Sequence, residues 1–124
     1  MAGQRLLVVE DELLVALDIE SILSEAGLDV IGPASTAAEA LKLIADTPPD
    51  AALIDASLSG EPIDAVAQAL SERGIPFAYV TGYGRDSLPA AHPAPIVPKP
   101  FDAGQLLAAA RRLLAAEGGT DSAG

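Results

Sequence analysis

The residues of this chain best suited to chemistry are three acids, a hydroxyl and a lysine, each at the end of a short apolar run. Glu10 and Asp11 follow the run RLLVV, Asp55 ends AALID, Thr81 follows IPFAYV, and Lys99 follows IVP. Carboxylates brought together repel each other unless a cation joins them, and hard oxygen ligands favour Mg²⁺. Such an ion usually shares a phosphoryl group, whose other oxygens a lysine and a hydroxyl can hold. If the fold brings these residues together, the pattern predicts magnesium-assisted phosphoryl chemistry.

Each of these residues also has an ordinary structural interpretation when it is considered alone. An aspartate such as Asp55 commonly begins a turn, and Thr81 before a glycine fits a turn after a strand. Glu10, Asp11 and Glu12 could complement the positive end of a following helix, and Lys99 could be a solvated surface charge. Only their occurrence in order, at successive strand ends, favours the chemical interpretation.

The elements that must position these residues are five short apolar runs that alternate with helical periodicity. The run that ends at Asp55 is apolar on both faces, as a parallel sheet covered by helices requires. Little chain is left between the runs for anything but crossover connections, so we predict an α/β fold with a five-stranded parallel sheet and helices on both faces. The carboxyl ends of parallel strands lie on one edge, which is where ligands bind in open α/β sheets. Helices are predicted over Glu12–Ala26, after Thr36, from Ile63 and after Asp102.

Glycines, prolines and capping residues mark where the predicted elements begin and end. The second strand is predicted over Leu28–Ile31, since Gly32 and Pro33 follow it. Thr36-Ala37-Ala38-Glu39 matches a capping box and predicts the start of the second helix. The segment Arg85–Pro95 carries three prolines where a helix is expected by alternation, which predicts at most one helical turn there.

Length and composition limit the classes of function. A chain of 124 residues fits one domain, which we place at residues 1–117, followed by a polar tail at 118–124 that we expect to be disordered. Eighteen acids against seven bases give a net charge of -11, which repels nucleic acid and anionic membranes and suits a cation or a partner with a basic surface. The absence of cysteine excludes disulfides and thiolate zinc sites. Without a signal peptide or an apolar run of about 18 residues, the expected location is the cytoplasm.

The motifs, taken together, resemble the receiver domain of two-component response regulators, the CheY-like family. They are VVEDE at Val8–Glu12, LIDASLSG around Asp55, TG at Thr81–Gly82 and KPF at Lys99–Phe101. The resemblance covers Arg5 to about Glu117. It implies a flavodoxin-like, doubly wound sheet of strand order 2-1-3-4-5.

The same resemblance implies a role for each site residue. Asp55 would be the phosphoacceptor, Thr81 the switch hydroxyl and Lys99 the phosphate-binding lysine. The peptide between Lys99 and Pro100 is often cis in the family. A magnesium ion would be held by Glu10, Asp11, Asp55 and the backbone carbonyl of Ser57.

The sequence departs from the common family pattern around the fourth and fifth strands. The family usually has an aromatic switch residue three positions before the lysine, where this chain has Ile96. The stretch PFAYVTGYG, Pro76–Gly84, instead resembles a subfamily nicknamed FAT GUY, in which that aromatic is also missing and the region after the fourth strand is irregular. The proline-rich segment Arg85–Pro95 then predicts a short or irregular fourth helix. Tyr79 or Tyr83 is a candidate to replace the aromatic, with packing in the core as the alternative role.

By resemblance, the chain is a stand-alone response regulator that accepts a phosphoryl group from a sensor histidine kinase or phosphotransfer protein and signals to an unknown downstream protein. It would act on no other substrate, catalysing only its own phosphorylation and dephosphorylation. One alternative is a phosphohydrolase of the haloacid-dehalogenase type, but Ser57 stands where such enzymes usually carry a second acid. The other is a receiver-like interaction module that is not phosphorylated, which the presence of Asp55 and Lys99 disfavours.

Overall fold

The computed structural model describes residues 4–56, 63–81 and 94–122, with side chains as far as residue 115. Within these residues the chain forms one parallel sheet of five strands, in the order β2-β1-β3-β4-β5. The strands are β1 (Arg5–Val9), β2 (Asp29–Ala34), β3 (Ala51–Asp55), β4 (Phe77–Thr81) and β5 (Ile96–Pro98). The helices are α1 (Leu13–Glu25), α2 (Ala37–Asp46), α3 (Ile63–Glu72) and α4 (Ala103–Ser122). The predicted fold class and strand order are confirmed.

Two apolar cores lie on opposite faces of the sheet, since side chains alternate along each strand. On one face, Leu7 and Ile54 pack with residues of α2 and α3. On the other face, Leu6 and Leu53 pack with residues of α1 and α4. Burying one such side chain contributes about 1.5–3 kcal/mol to folding, so the two cores hold the central strands rigidly beneath the edge where the acids lie.

The second strand is longer than the sequence suggests, and the prediction that it stops at Ile31 is wrong. β2 continues through Gly32 and Pro33 to Ala34, with a shift in its register against β1. Gly32 has a φ of +94°, and a side chain there would come within 2.6 Å of the Ala34 nitrogen, so only glycine fits. A proline is tolerated because β2 is an edge strand. The extension matters for the site, since the Ala34 carbonyl accepts a hydrogen bond of 2.9 Å from the backbone N–H of Glu10.

The predicted helix starts after Thr36 and Asp102 are confirmed by their hydrogen bonds. Thr36 Oγ1 accepts from the backbone N–H of Glu39 at 3.1 Å, and Glu39 Oε1 accepts from the backbone N–H of Ser35 at 2.8 Å. Asp102 Oδ1 accepts from the backbone N–H of Gln105 at 2.7 Å, while Gln105 Oε1 accepts from that of Asp102 at 2.9 Å. The cap of α4 is reciprocal, whereas at α2 Glu39 bonds to the residue before its cap, and these hydrogen bonds fix where the two helices begin.

Several expectations about the chain concern its less regular parts. The backbone of α4 runs to Ser122, past residue 118 where the composition predicts a tail, and the domain boundary at residue 117 stays a prediction. Most of the proline-rich segment, residues 85–93, lies outside the described residues, so the irregular helix expected there also stays a prediction. None of the helices in the described ranges is long and apolar enough to cross a membrane.

Candidate functional site

The sheet brings the predicted site residues to one edge. β1 and β3 are neighbours and end level with each other, which places Glu10 beside Asp55. β4 pairs with the other side of β3 and carries Thr81 to the same edge. β5 follows, and the backbone N–H of Lys99 donates to the Thr81 carbonyl at 2.9 Å. Residues that are far apart in sequence therefore form one cluster, because four strand ends meet there.

The acids of this cluster are unusually buried for charged residues. Glu10 and Asp55 are each 2% exposed and Thr81 is 1% exposed, whereas Asp11 is half-buried. Carboxylates are almost never fully buried unless they are paired or bind a metal. Glu10, Asp11 and Asp55 each offer an oxygen, and these atoms lie within 4.8 Å of one another. That spacing and donor set suit a hard divalent cation.

Lys99 supplies the positive charge at the cluster. Its Nζ lies 3.2 Å from Glu10 Oε1, 3.5 Å from Asp55 Oδ1 and 3.8 Å from Glu12 Oε1. Burial of the ammonium acts to lower its pKa, but the charges of the three carboxylates outweigh burial and raise the pKa above its usual value. Lys99 is therefore a permanent cation whose ion pairs hold it over the acids.

Lys99 carries one positive charge against the three acids of the cluster, and the pKa of Glu10 is raised. Burial, followed by the side-chain contact and the charge of Asp55, raises the pKa of Glu10 from 4.5 to about 7, although the Glu12 backbone and Lys99 act in the opposite direction. Glu10 Oε2 accepts from the backbone N–H of Glu12 at 3.1 Å. Glu10 Oε1 is buried without a hydrogen bond to a described residue, although the Lys99 ammonium is close. A buried acceptor of this kind fits an additional cation such as Mg²⁺.

Two residues with expected roles are not described. Ser57, whose carbonyl is a predicted metal ligand, and Tyr83, a candidate for the missing aromatic, lie outside the described residues. Their roles stay predictions.

Tyr79 is described, and it lies in the core. Its side chain is fully buried and meets Phe77 edge to face, with ring centroids 5.6 Å apart. Burial, together with the charge of Asp64, raises the pKa of Tyr79 to about 12. In the sheet Tyr79 pairs with Ile96, the residue that stands in place of the usual aromatic. Its surroundings are those of the core-packing role rather than of a surface residue.

Sequence reasoning missed the contact of Glu12 with the site. The sequence places Glu12 among the acids that could complement a helix, and Glu12 does occupy the position before α1. Its side chain makes no capping hydrogen bond, however, and reaches towards Lys99 instead. No sequence pattern distinguishes these two directions, because they differ only in side-chain conformation.

Sequence reasoning also missed an exposed apolar patch at the start of α1. Leu13, Leu14 and Leu17 are 69%, 80% and 48% exposed, and we call them the leucine patch. A groove of about 660 Å³ runs beside the patch towards the acidic cluster, lined by Leu14, Val15, Asp18, Lys99, Pro100 and Phe101. The sequence contained the signal, since these leucines fall outside the apolar stripe of the predicted helix, which consists of Val15, Ile19, Ile22, Leu23 and Ala26.

Comparisons with known proteins place this geometry among signalling regulators. The chain is 34% identical over 101 residues to the phyllosphere-induced regulator PhyR of Methylorubrum extorquens, covering 77% of this chain and 38% of that protein. The response regulator PhyR from Brucella abortus is 34% identical with a TM-score of 0.84, covering 98% of this chain and 51% of that one. A CheY-like response regulator receiver domain protein from Methanospirillum hungatei is 25% identical with a TM-score of 0.84, covering 95% and 98% of the two chains.

The extent of these matches differs between the relatives. This chain spans about half or less of the length of the two PhyR proteins, whereas it spans almost all of the receiver domain protein. No protein-family model matches the sequence. The similarity therefore covers part of each PhyR protein, and in the two structural comparisons it extends over nearly all of this chain.

Proposed function

Since the chain belongs to the CheY-like receiver domains of two-component response regulators, we propose that it accepts a phosphoryl group on Asp55 from a phosphohistidine. One observation supports this most strongly, namely the position of the buried Asp55 carboxylate. It lies 3.5 Å from the Lys99 ammonium, and its oxygen is within 4.8 Å of those of Glu10 and Asp11. The proposed nucleophile, the lysine cation and the candidate metal ligands therefore lie together at the carboxyl end of the sheet.

In the proposed reaction, an Asp55 oxygen forms a bond to phosphorus as the bond from phosphorus to the histidine nitrogen breaks. The nitrogen leaves with the electron pair, and the product is an acyl phosphate. Glu10, Asp11, Asp55 and the Ser57 carbonyl would hold Mg²⁺, which supplies neutralisation of the charge on the transferring group. Lys99 pairs with a phosphoryl oxygen, since its ammonium already lies beside the nucleophile.

Thr81 connects the reaction to the rest of the domain. Its hydroxyl would donate to the new phosphoryl group, and its carbonyl accepts from the Lys99 backbone at 2.9 Å. Movement of Thr81 would therefore be transmitted to β5 and to the residues after β4. The output of the domain is a protein contact or onward phosphotransfer, and water resets it by hydrolysing the acyl phosphate. The protein acts on no other substrate.

The partner that delivers the phosphoryl group would dock on the leucine patch. The groove beside the patch reaches Lys99, so a protein seated there lies against the phosphoryl site. Monomeric proteins rarely expose a contiguous group of large apolar side chains without a partner. Glu12 and Asp18 are exposed beside the leucines and the chain carries a net charge of -11, so the expected contact is an apolar helix flanked by basic residues.

Phosphorylation by a small donor tests the proposal directly. Incubation with Mg²⁺ and acetyl phosphate should add one phosphoryl group, stable in acid and labile in base, as measured by intact-protein mass spectrometry. Asp55→Asn should remove the labelling, because the amide is not a nucleophile. Asp46→Asn is the matched control, since Asp46 is an exposed aspartate whose described ion pair is with Lys42. Equal labelling of wild type and Asp55→Asn would contradict the proposal.

A further inference from the structure

Lys99 has three carboxylate partners, and one of them differs from the other two. Glu10 and Asp55 are buried, with side chains 1% and 2% exposed, whereas the Glu12 side chain is 68% exposed. Glu10 and Asp55 also belong to the acidic group that could hold a metal, and Glu12 does not. A cation bound by that group would compete with Lys99 for Glu10 and Asp55, but not for Glu12.

The backbone of Glu12 is fixed by two hydrogen bonds, and its side chain reaches Lys99 from there. Its N–H donates to Glu10 Oε2 at 3.1 Å, and its carbonyl accepts from the backbone N–H of Ala16 at 2.9 Å, in the first turn of α1. A residue at this position usually caps the helix with its side chain. Glu12 makes no such hydrogen bond, and its Oε1 lies 3.8 Å from Lys99 Nζ instead.

We propose that Glu12 is a positioning residue that holds Lys99 beside the site when Mg²⁺ has taken Glu10 and Asp55. The proposal rests on the function proposed above. Two cations would otherwise face each other across the same carboxylates, and the long lysine side chain would move out into solvent. With Glu12 as its remaining partner, the ammonium stays within reach of an incoming phosphoryl group. The pair is exposed, so its effect is modest in size.

Lysine NMR tests this proposal with little ambiguity, because the sequence contains only Lys42 and Lys99. Lys42 is 77% exposed in its pair with Asp46 and provides an internal reference. A lysine ammonium gives an observable proton signal when ion pairs protect it from exchange with water. The Lys99 signal is recorded for wild type and Glu12→Gln, in EDTA and in saturating Mg²⁺.

The expected result is a loss of signal in one condition only. In EDTA both proteins should show the Lys99 signal, since Glu10 and Asp55 hold the ammonium, and this also shows that the variant is folded. In Mg²⁺ the wild type should keep the signal and Glu12→Gln should lose it. Glu25→Gln is the matched control, because it removes the same charge about 20 Å further along α1 and should behave as wild type. A Lys99 signal that survives Mg²⁺ in Glu12→Gln would overturn the proposal.

Calorimetric titration with Mg²⁺ separates this proposal from the function on which it rests. Glu12→Gln should weaken Mg²⁺ binding about two- to fivefold. Without Glu12 as an alternative partner, Lys99 competes more strongly with Mg²⁺ for Glu10 and Asp55. The factor should be smaller in a Lys99→Met background, where the competitor is absent. An equal loss of Mg²⁺ affinity in both backgrounds would show that Glu12 acts without Lys99. It would overturn this proposal but leave the proposed function intact. No Mg²⁺ binding by wild type would overturn both the proposal and the metal site.

Discussion

Two regions of this molecule reverse the ordinary distribution of side chains, and they do so in opposite ways. At the sheet edge, Glu10 and Asp55 are charged and almost completely buried. One turn away, at the start of α1, Leu13 and Leu14 are apolar and mostly exposed. Folding alone favours neither arrangement, because burying a charge costs free energy and exposing a leucine forgoes the free energy of burial.

The difference between the two regions lies in what each one lacks. The acidic cluster brings three carboxylates to the single charge of Lys99, so a cation or a proton would complete it. The leucine patch is short of apolar contact, so another protein surface would complete it. The first region should therefore affect both chemistry and stability, while the second should affect only encounters with a protein donor.

The largest effect is expected when the leucine patch is substituted and the rate of phosphotransfer from a protein donor is measured. Leu13→Gln/Leu14→Gln should slow transfer from a phosphorylated histidine phosphotransfer protein about tenfold or more, because two exposed apolar contacts of the interface are lost. Labelling by acetyl phosphate should be unchanged, since a small donor needs no docking surface. Both rates are measured by following the phosphoryl group on Asp55.

The control for that experiment changes another exposed residue of the same helix. Ser24→Gln, near the end of α1, should be phosphorylated at the wild-type rate by both donors. If the leucine variant lost reactivity with acetyl phosphate as well, the leucine patch would belong to the chemistry and the contrast between the regions would fail.

A smaller effect is expected on the stability of the metal-free protein. The pKa of Glu10 is raised from 4.5 to about 7, so the folded state holds this proton more tightly than the unfolded chain. The free energy of unfolding should therefore fall as pH rises from about 4.5 to about 7, by on the order of 1–3 kcal/mol. Glu10→Gln carries no such proton, and it should exceed wild type in stability above pH 7 and approach it near pH 4.5.

Urea unfolding in EDTA at pH 5 and pH 8 measures that difference. Adding Mg²⁺ at pH 8 should then stabilise wild type more than Glu10→Gln, because the ion binds the carboxylate and not the amide. If the free energy of unfolding changed by the same amount between pH 5 and pH 8 in both proteins, the charge of Glu10 would not oppose folding.

Most of the fold could be predicted because its determinants are local. Buried strands such as Ala51–Asp55 are short apolar runs, and caps such as Thr36 and Asp102 have recognisable partners three residues later. The edge position of Asp55 and Lys99 then followed from parallel topology. The extension of β2 to Ala34 could not be predicted, because Gly32 and Pro33 ordinarily end a strand and are accepted here only at the sheet edge with a shifted register.

The rest of the site depends on side-chain conformation, which no spacing encodes. The contact between Glu12 and Lys99 joins the first and fifth strand ends, and it exists only because a side chain turns away from capping α1. The leucine patch was visible in the sequence as three leucines outside the inward stripe. Helical periodicity predicts which residues face the core, so it does not predict an exposed patch.

The smallest effect is expected where the leucine patch is tested for stability. Leu14 is 80% exposed and Leu13 is 69% exposed, so replacing both with glutamine removes little buried apolar area. Glutamine and leucine also have similar helix propensities, and surface substitutions of this kind usually change stability by less than about 0.5 kcal/mol. The urea midpoint of Leu13→Gln/Leu14→Gln should therefore match wild type in EDTA at pH 8, where Glu10→Gln shows its gain. A clear loss of stability would mean that the leucines are held by the fold itself, and the reason for assigning them to a partner would disappear.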